Sequence, residues 1–378
     1  MKFNKYKISH YLIFSFAALN YCVAIFLKQF IRSTNNSVLL YGHKLVGNLE
    51  VIFKDKRFSQ KNVLFITINF KDYLKLKNIY GKRILYALNI FQLLRGLKCK
   101  TLIASHGIFF HNAIKKLGIK TIYCGHAIQG SIPKDTDKIF YGAFHEVLLH
   151  SPYDKEIMTQ EAGYKDFNLD VTGFPRNQAM LENIRNITRL KKNNNLNGRK
   201  IILYAPTGNR NNIEYIESEF SISNINFIKF IRDTLSNSDI VLIIKNHINE
   251  SISKEIEEIA NNCNNILFQN ELKLDYDYDS LIISDVLITD FSTIYVDYLL
   301  LDKPIFIINN PDPDPQRKMS SILSNIELPI LQSKKDLVSM IEKLKYDQLE
   351  NSKINILKNK IYQDQNHQET IDKIIKKI

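Results

Sequence analysis

Two histidines and one hydroxyl-rich turn are the groups in this chain best suited to chemistry, and each follows a short apolar run. His126 comes after Lys120 to Cys124, His247 after Ile240 to Ile244, and Asp290, Ser292 and Thr293 after Val286 to Thr289. An imidazole titrates near neutral pH, so either histidine could take a proton from an attacking hydroxyl. Lys245 stands two residues before His247. Side chains alternate along a strand, so these two share a face and could together neutralise a diphosphate. The turn at Asp290 leads into a helix-like run from Tyr295 to Leu301. Unpaired amides and the helix dipole at such an N-terminus favour a phosphate. A hydroxyl cap without any ligand is the other reading of that turn, because such caps open most helices.

These groups need a frame that brings strand ends together. Beyond Leu27, strands are expected at 37–41, 62–68, 101–104, 120–124, 147–150 and 167–172, with helical periodicity between them, for example Arg83 to Leu97 and Phe109 to Leu117. This βαβα rhythm belongs to a parallel sheet with helices on both faces. From Asn183 to Lys200 the chain turns polar, with Lys191-Lys-Asn-Asn-Asn-Leu-Asn-Gly198 lacking periodicity, which reads as a surface loop or linker. A second strand set is expected at 201–204, 240–244, 266–268, 286–289 and 305–308, and the chain from Lys334 onward is helical and charged. The expected organisation is a basic, apolar segment 1–32, an α/β domain 33–190, a linker 191–199, a second α/β domain 200–345 and a helical tail 346–378. Ligands of open α/β sheets gather at the C-terminal ends of strands, where the groups above stand.

In order along the chain, Gly173-Phe-Pro-Arg-Asn177, Tyr204-Ala-Pro-Thr207, Lys245-Asn-His247 and Thr289-Asp-Phe-Ser-Thr293 resemble motifs of the CDP-glycerol glycerophosphotransferase family, which builds teichoic-acid-type polymers. The family patterns are approximately Gly-Tyr-Pro-Arg-Asn, Tyr-Ala-Pro-Thr, Lys-x-His and Thr-Asp-Tyr-Ser-Ser, and the resemblance runs over roughly residues 120 to 310. It implies an α/β fold of GT-B type, two Rossmann-like domains with a C-terminal helical tail, the first taking the acceptor and the second the nucleotide donor. It implies that His126 accepts the proton of the attacking hydroxyl. It also implies that Lys245, His247, Asp290, Ser292, Thr293, Arg176, Thr207 and Asp297 serve the donor. Plainer readings stand beside several of these: a locally hydrogen-bonded loop histidine for His126, a turn and helix cap for Arg176, a solvated helix carboxylate for Asp297, a strand-end pair for Lys245 and His247.

The chain departs from the family in places. Near His126 the family has approximately Trp-His-Gly-Thr-Pro, whereas Cys124-Gly-His-Ala-Ile-Gln-Gly130 shifts the histidine and lacks the tryptophan. Ser105-His106-Gly107, at the end of the preceding strand, competes for the same task. Ile248 replaces the usual proline after His247, and Gly208-Asn-Arg210 follows Pro206-Thr207. Asp275-Tyr-Asp-Tyr-Asp279 could hold a metal–nucleotide, but it precedes a helix and reads better as a polar loop. Pro311-Asp-Pro-Asp-Pro315 is a stiff loop. Cys124 as a nucleophile lacks an orienting third residue. Neither a phosphate loop of the Gly-x-x-x-x-Gly-Lys type nor a Gly-x-Ser-x-Gly elbow is present.

The activity so implied is transfer of glycerol phosphate, or a related polyol phosphate, from a CDP-linked donor to a hydroxyl of a glycan or polyol-phosphate polymer, with release of CMP. No cofactor and no metal are expected. A nucleotide-sugar glycosyltransferase of the same fold, acting in capsule or lipopolysaccharide synthesis, is the rival enzyme. A glycan- or membrane-binding scaffold is the non-enzymatic alternative.

Composition sets the outer bounds. With 378 residues and 45% hydrophobic content, the chain can bury two cores of ordinary size. Its 51 Lys+Arg against 39 Asp+Glu give a net +12, which favours anionic partners. No nucleic-acid-binding signature accompanies that charge, so no nucleic acid partner is expected. Cys22, Cys99, Cys124 and Cys263 are scattered and show no metal or disulfide spacing, which suits free thiols in a reducing compartment. Tyr11 to Leu27 is a 17-residue apolar run between basic residues, short of the roughly 20 that span a bilayer. A buried helix opening the first domain, a membrane-surface anchor, or a true span or signal are its three readings. Basic flanks point to peripheral attachment at the cytoplasmic face of the membrane.

Overall fold

The computed structural model describes residues 8–33, 36–108, 111–125, 137–206, 225–245, 254–290, 292–308 and 328–378. The chain divides into two compact units, one built from the described residues up to 178 together with Gln365–Ile378, the other from Ala179–Asp364. Each has its own parallel sheet and its own core.

The first unit holds β1 (Ser37–Tyr41), β2 (Asn62–Thr67), β3 (Ile84–Tyr86), β4 (Thr101–Ala104), β5 (Lys120–Cys124), β6 (Glu146–Leu149) and β7 (Leu169–Val171), in the spatial order β3-β2-β1-β4-β5-β6-β7. The central strands β1, β4, β5 and β6 are buried along nearly their whole length, as expected of strands covered on both faces. Leu39, Leu64, Leu85, Leu102 and Val147 anchor the core. In the second unit, β8 (Lys200–Tyr204), β9 (Ile240–Ile244), β10 (Ile266–Phe268), β11 (Val286–Thr289), β12 (Ile305–Ile308) and β13 (Ile330–Leu331) run in the order β10-β9-β8-β11-β12-β13. Ile202, Leu242, Ile266, Val286 and Ile308 form its centre.

Three expectations need correction. Arg83 to Leu97 is not one helix: Ile84–Tyr86 forms β3 against β2, pairing Phe65 with Ile84, and a helix begins only at Ile90. Asn89 ends the strand segment by accepting the Gln92 N–H at 3.0 Å, an ordinary N-cap. A three-residue apolar run satisfies either period, and the open edge of β2 decides it. Second, 191–199 is no free linker. Residues 191–193 end the helix Ile187–Asn193, Asn194 exchanges hydrogen bonds with Lys273, and Leu196 is buried. The chain passes between units near residue 178 instead. Third, the helical tail is divided. Ser352–Tyr362 belongs to the second unit, where the Tyr362 hydroxyl donates to Val296 O at 2.9 Å. From Gln365 the chain belongs to the first, where the Thr370 hydroxyl donates to Thr172 O at 2.9 Å.

The N-terminal helix Ile8–Lys28 packs against helix Ile90–Leu97. Ala24 is fully buried in the first core, Tyr21 and Ile25 pack beside it, and the Asn20 amide donates to Leu88 O at 2.9 Å. Its other side exposes Phe16, Leu19, Val23 and Phe26. No helix among the described residues is long and apolar enough to cross a membrane.

Candidate functional site

Both sheets end in polar groups at their C-terminal edges, and each edge is built by its own unit. In the first, β1 is followed by Gly42-His43, β4 by Ser105-His106, β5 by Gly125, β6 by His150 and β7 by Thr172-Gly173. The His43 and His106 rings lie 4.3 Å apart between centroids, tilted by 57°. Ser105 Oγ is 2.8 Å from His106 Nδ1. A Cβ on Gly42 would fall 2.9 Å from that Oγ and 2.7 Å from Leu49 Cδ1, so only glycine lets the end of β1 come this close to β4. Partial removal of water from around the ring lowers the pKa of His43, although the residue keeps an exposed side.

The buried Asn48 side chain ties two strand ends together. Its amide donates to Gly125 O at 2.5 Å, and its Oδ1 accepts the Arg176 N–H at 3.2 Å. Gly173-Phe-Pro-Arg-Asn177 is likewise built around packing. Gly173 has φ +80, Phe174 is buried edge-on to the His150 ring, and Pro175 opens helix Pro175–Asn183. The Asn177 amide lies 2.8 Å from His150 Nε2. The Arg176 guanidinium sits 5.0 Å from the Phe174 ring centroid. Burial pushes the Cys124 thiol up to about 12, with the Arg176 charge opposing, so it is not a thiolate at neutral pH.

In the second unit, Lys245 leaves the end of β9 and Asp290 the end of β11. Lys245 Nζ donates to Asp277 Oδ2 at 2.9 Å. Asp290 is buried, and its Oδ1 accepts the Ser292 N–H at 3.0 Å, which folds the turn back on itself. Thr293 caps the short helix Ile294–Leu299 without a side-chain cap bond. The Thr289 hydroxyl donates to Ala205 O at 2.7 Å and fastens β11 to the end of β8. Asp297 is not a solvated helix carboxylate: it is buried, as are its neighbours from Tyr295 to Leu299, because nearly the whole short helix is enclosed.

The three aspartates of 275–279 serve separate partners. Asp275 pairs with Arg189, Asp277 with Lys245, and Asp279 accepts the backbone N–H groups of Asp275 and Tyr276, both at 2.9 Å. Among the described residues no group of three or more His, Cys, Asp or Glu side chains is placed to hold a metal.

Thus Lys245, Asp290, Ser292, Thr293 and Asp297 lie in the second unit and Arg176 lies in the first. His126, Thr207 and His247 fall outside the described residues. The motif reading passed over His43, Asn48 and His150. The strand-end rule that singled out His126 also covers His43 and His150, each directly or nearly after an apolar strand. Asn48 carries no local signal, since its partners lie 77 and 128 residues away.

The family model for CDP-glycerol:poly(glycerophosphate) glycerophosphotransferase matches residues 112–378. The teichoic acid poly(glycerol phosphate) polymerase of Bacillus spizizenii is 30% identical over 159 residues, covering 40% of this chain and 38% of that protein. The teichoic acid glycerol-phosphate primase of the same organism is 28% identical over 196 residues, covering 52% and 47%. The chain thus spans less than half the length of either relative within the match. Among solved structures, the wall teichoic acid polymerase TagF aligns with 98% of both chains at a TM-score of 0.70 and 13% identity. The UDP-GlcNAc 2-epimerase of Neisseria meningitidis aligns with 90% of this chain and 98% of its own at 0.56 and 13%. The expected α/β architecture of GT-B type is the fold shared with TagF.

Proposed function

Because this chain belongs to the CDP-glycerol:poly(glycerophosphate) glycerophosphotransferase family, we propose that it transfers glycerol phosphate, or a related polyol phosphate, from a CDP-linked donor to a hydroxyl of a teichoic-acid-like polymer or cell-surface glycan. The observation that carries this reading is the family match, which takes in His126, Arg176, Thr207, Lys245, His247 and the Asp290 turn. Both curated relatives are named for glycerol-phosphate polymer synthesis, and a TagF variant has been soaked with CDPG.

In the step proposed, the acceptor hydroxyl oxygen attacks the donor phosphorus that bears the polyol. The new P–O bond forms as the bond to the bridging diphosphate oxygen breaks, and CMP departs. The hydroxyl proton goes to His126. Such transfers are catalysed mainly by positioning and charge stabilisation. Lys245 and His247 supply cations for the donor diphosphate, Ser292 and Thr293 supply hydroxyls and amides, and Asp290 holds their turn in shape. Arg176, Thr207 and Asp297 complete the donor assignment. Incubating the purified protein with a panel of CDP- and UDP-linked donors tests the reading. CMP release from CDP-glycerol or CDP-ribitol, dependent on acceptor, is the expected result; UDP release with sugar transfer would replace it with a glycosyltransferase.

We also propose that the N-terminal helix rests on the cytoplasmic face of the membrane without crossing it. Its outward residues Phe16, Leu19, Val23 and Phe26, continued by Phe30, recur at spacings of three and four and form one apolar ridge. An exposed ridge of this kind, near basic residues such as Arg32, suits an interfacial position on an anionic leaflet.

A further inference from the structure

The sheet of the first unit reverses its strand order between β1 and β4: one side runs β1, β2, β3 and the other β4, β5, β6, β7. Connections leave such a reversal in opposite directions, which opens a crevice beyond the strand ends where ligands of this sheet type bind. The side chains at that crevice are His43, two residues past β1, and Ser105 and His106, directly past β4.

Their arrangement is specific. The two imidazoles are within 4.3 Å, and Ser105 Oγ fixes His106 Nδ1 at 2.8 Å. Gly42 permits the approach, because any side chain there would collide with Ser105 Oγ and Leu49. Ser105 is buried, His106 half-buried and His43 exposed, so the group grades from the protein interior to solvent. Two adjacent imidazoles, each able to take up a proton, and a neutral hydroxyl offer hydrogen-bond donors side by side, which suits an anionic oxygen ligand. A metal ion is the poorer match, since no third ligand of the His, Cys, Asp or Glu kind joins them among the described residues.

We propose that His43, Ser105 and His106 form a phosphate subsite at the sheet reversal, which holds a phosphate of the polyol-phosphate acceptor. This rests on the transferase reading above for the identity of the ligand, while the phosphate chemistry rests on the geometry alone.

Two measurements on the full chain separate these dependencies. In the first, histidine ring resonances of the wild-type protein are followed by NMR during titration with glycerol 3-phosphate, glycerol, inorganic phosphate and CDP. Assignments come from His43→Gln and His106→Gln. Saturable shifts of both rings with glycerol 3-phosphate and inorganic phosphate, and none with glycerol, are expected. Shifts with CDP alone would assign the pair to the donor and overturn the proposal, as would the absence of shifts with any phosphate. In the second, KM and kcat are measured with a short polyol-phosphate acceptor and CDP-glycerol. Each variant should raise the acceptor KM about tenfold or more, as for a lost hydrogen bond to a charged group, with the donor KM little changed. A fall in kcat alone, at unchanged acceptor KM, would make His106 a proton acceptor rather than part of a phosphate subsite. If no transferase activity exists, the kinetic arm fails with the functional reading, and the NMR arm still decides the subsite.

Discussion

Lys245 Nζ lies 2.9 Å from Asp277 Oδ2, and Gln269 Nε2 holds the other oxygen of the same carboxylate at 2.8 Å. The lysine side chain is 16% exposed and the aspartate 47%, so the pair is sheltered on the lysine side only. A donor diphosphate recruiting Lys245 must compete with Asp277 for it. Asp277→Asn should therefore tighten binding of CDP-glycerol several-fold, in keeping with about 1 kcal/mol for a partly exposed pair. Lys245→Ala should weaken it. Calorimetric titration of the folded variants reads both, and weaker binding by Asp277→Asn would mean that the pair positions the lysine for the donor instead.

The two histidines of the family motifs should separate kinetically. His126→Ala should cut turnover by about 10²- to 10⁴-fold with donor affinity nearly intact, the usual effect of removing a general base. His247→Ala should weaken donor affinity as well as turnover, because it removes charge stabilisation present before and during the reaction. Rates measured alongside donor binding decide between them. An active His126→Ala with an inactive His106→Ala would move the proton acceptor to the end of β4.

Gly173 is bound to its conformation and to its surroundings. Its φ is +80, and a Cβ would sit 2.7 Å from both Gln365 Nε2 and Thr370 Oγ1. Left-handed backbone alone costs a non-glycine residue roughly 1–2 kcal/mol. Gly173→Ala should therefore lower unfolding stability by more than about 2 kcal/mol once the displaced Thr370 contact is added. Amide exchange across 365–378 should accelerate in the same variant. Unchanged exchange there would show that the C-terminal segment is held by other contacts.

Lys303 supplies a pH signature. Burial lowers its pKa from 10.5 to about 8, against the opposing charge of Asp285, and its ammonium donates to Ile282 O and Ser284 O, both at 2.6 Å. Between those two values the unfolded chain keeps a proton that the folded chain has released, so this group's contribution to stability rises with pH. The buried Cys99 and Cys124 thiols, each raised to about 12, act in the opposite direction above their ordinary value of 9. Comparing wild type with Lys303→Met cancels the thiols. Urea midpoints should shift in favour of the wild type as pH climbs from about 8 towards 10.5; parallel midpoints would contradict the burial of the charge.

The exposed ridge of the N-terminal helix can be tested without unfolding it. Leu19→Glu and Phe26→Glu lie on its outer face, away from the buried Ala24 and the Asn20 hydrogen bond. Both should reduce co-sedimentation with vesicles containing anionic phospholipid while leaving far-ultraviolet circular dichroism unchanged. Equal sedimentation of wild type and variants would leave the ridge without a membrane role.

Strand identity was written in the sequence because it is local. Uniformly apolar runs such as Ile240 to Ile244 carry their own burial requirement, and the groups after them stand at strand ends by chain continuity alone. β3 was hidden, since Ile84-Leu85-Tyr86 is too short to show a period and pairs only because the edge of β2 is open. The motif order likewise identified the family, because short motifs record residue types that a ligand requires. Which of those residues already have protein partners depended on contacts far apart in the chain. Lys245 meets Asp277 32 residues on, His43 meets His106 through a glycine with no room for a side chain, and Gly173 packs against Thr370. Such pairings arise only when strands from distant parts of the chain are brought side by side, so they are properties of the packed sheet and of no single segment.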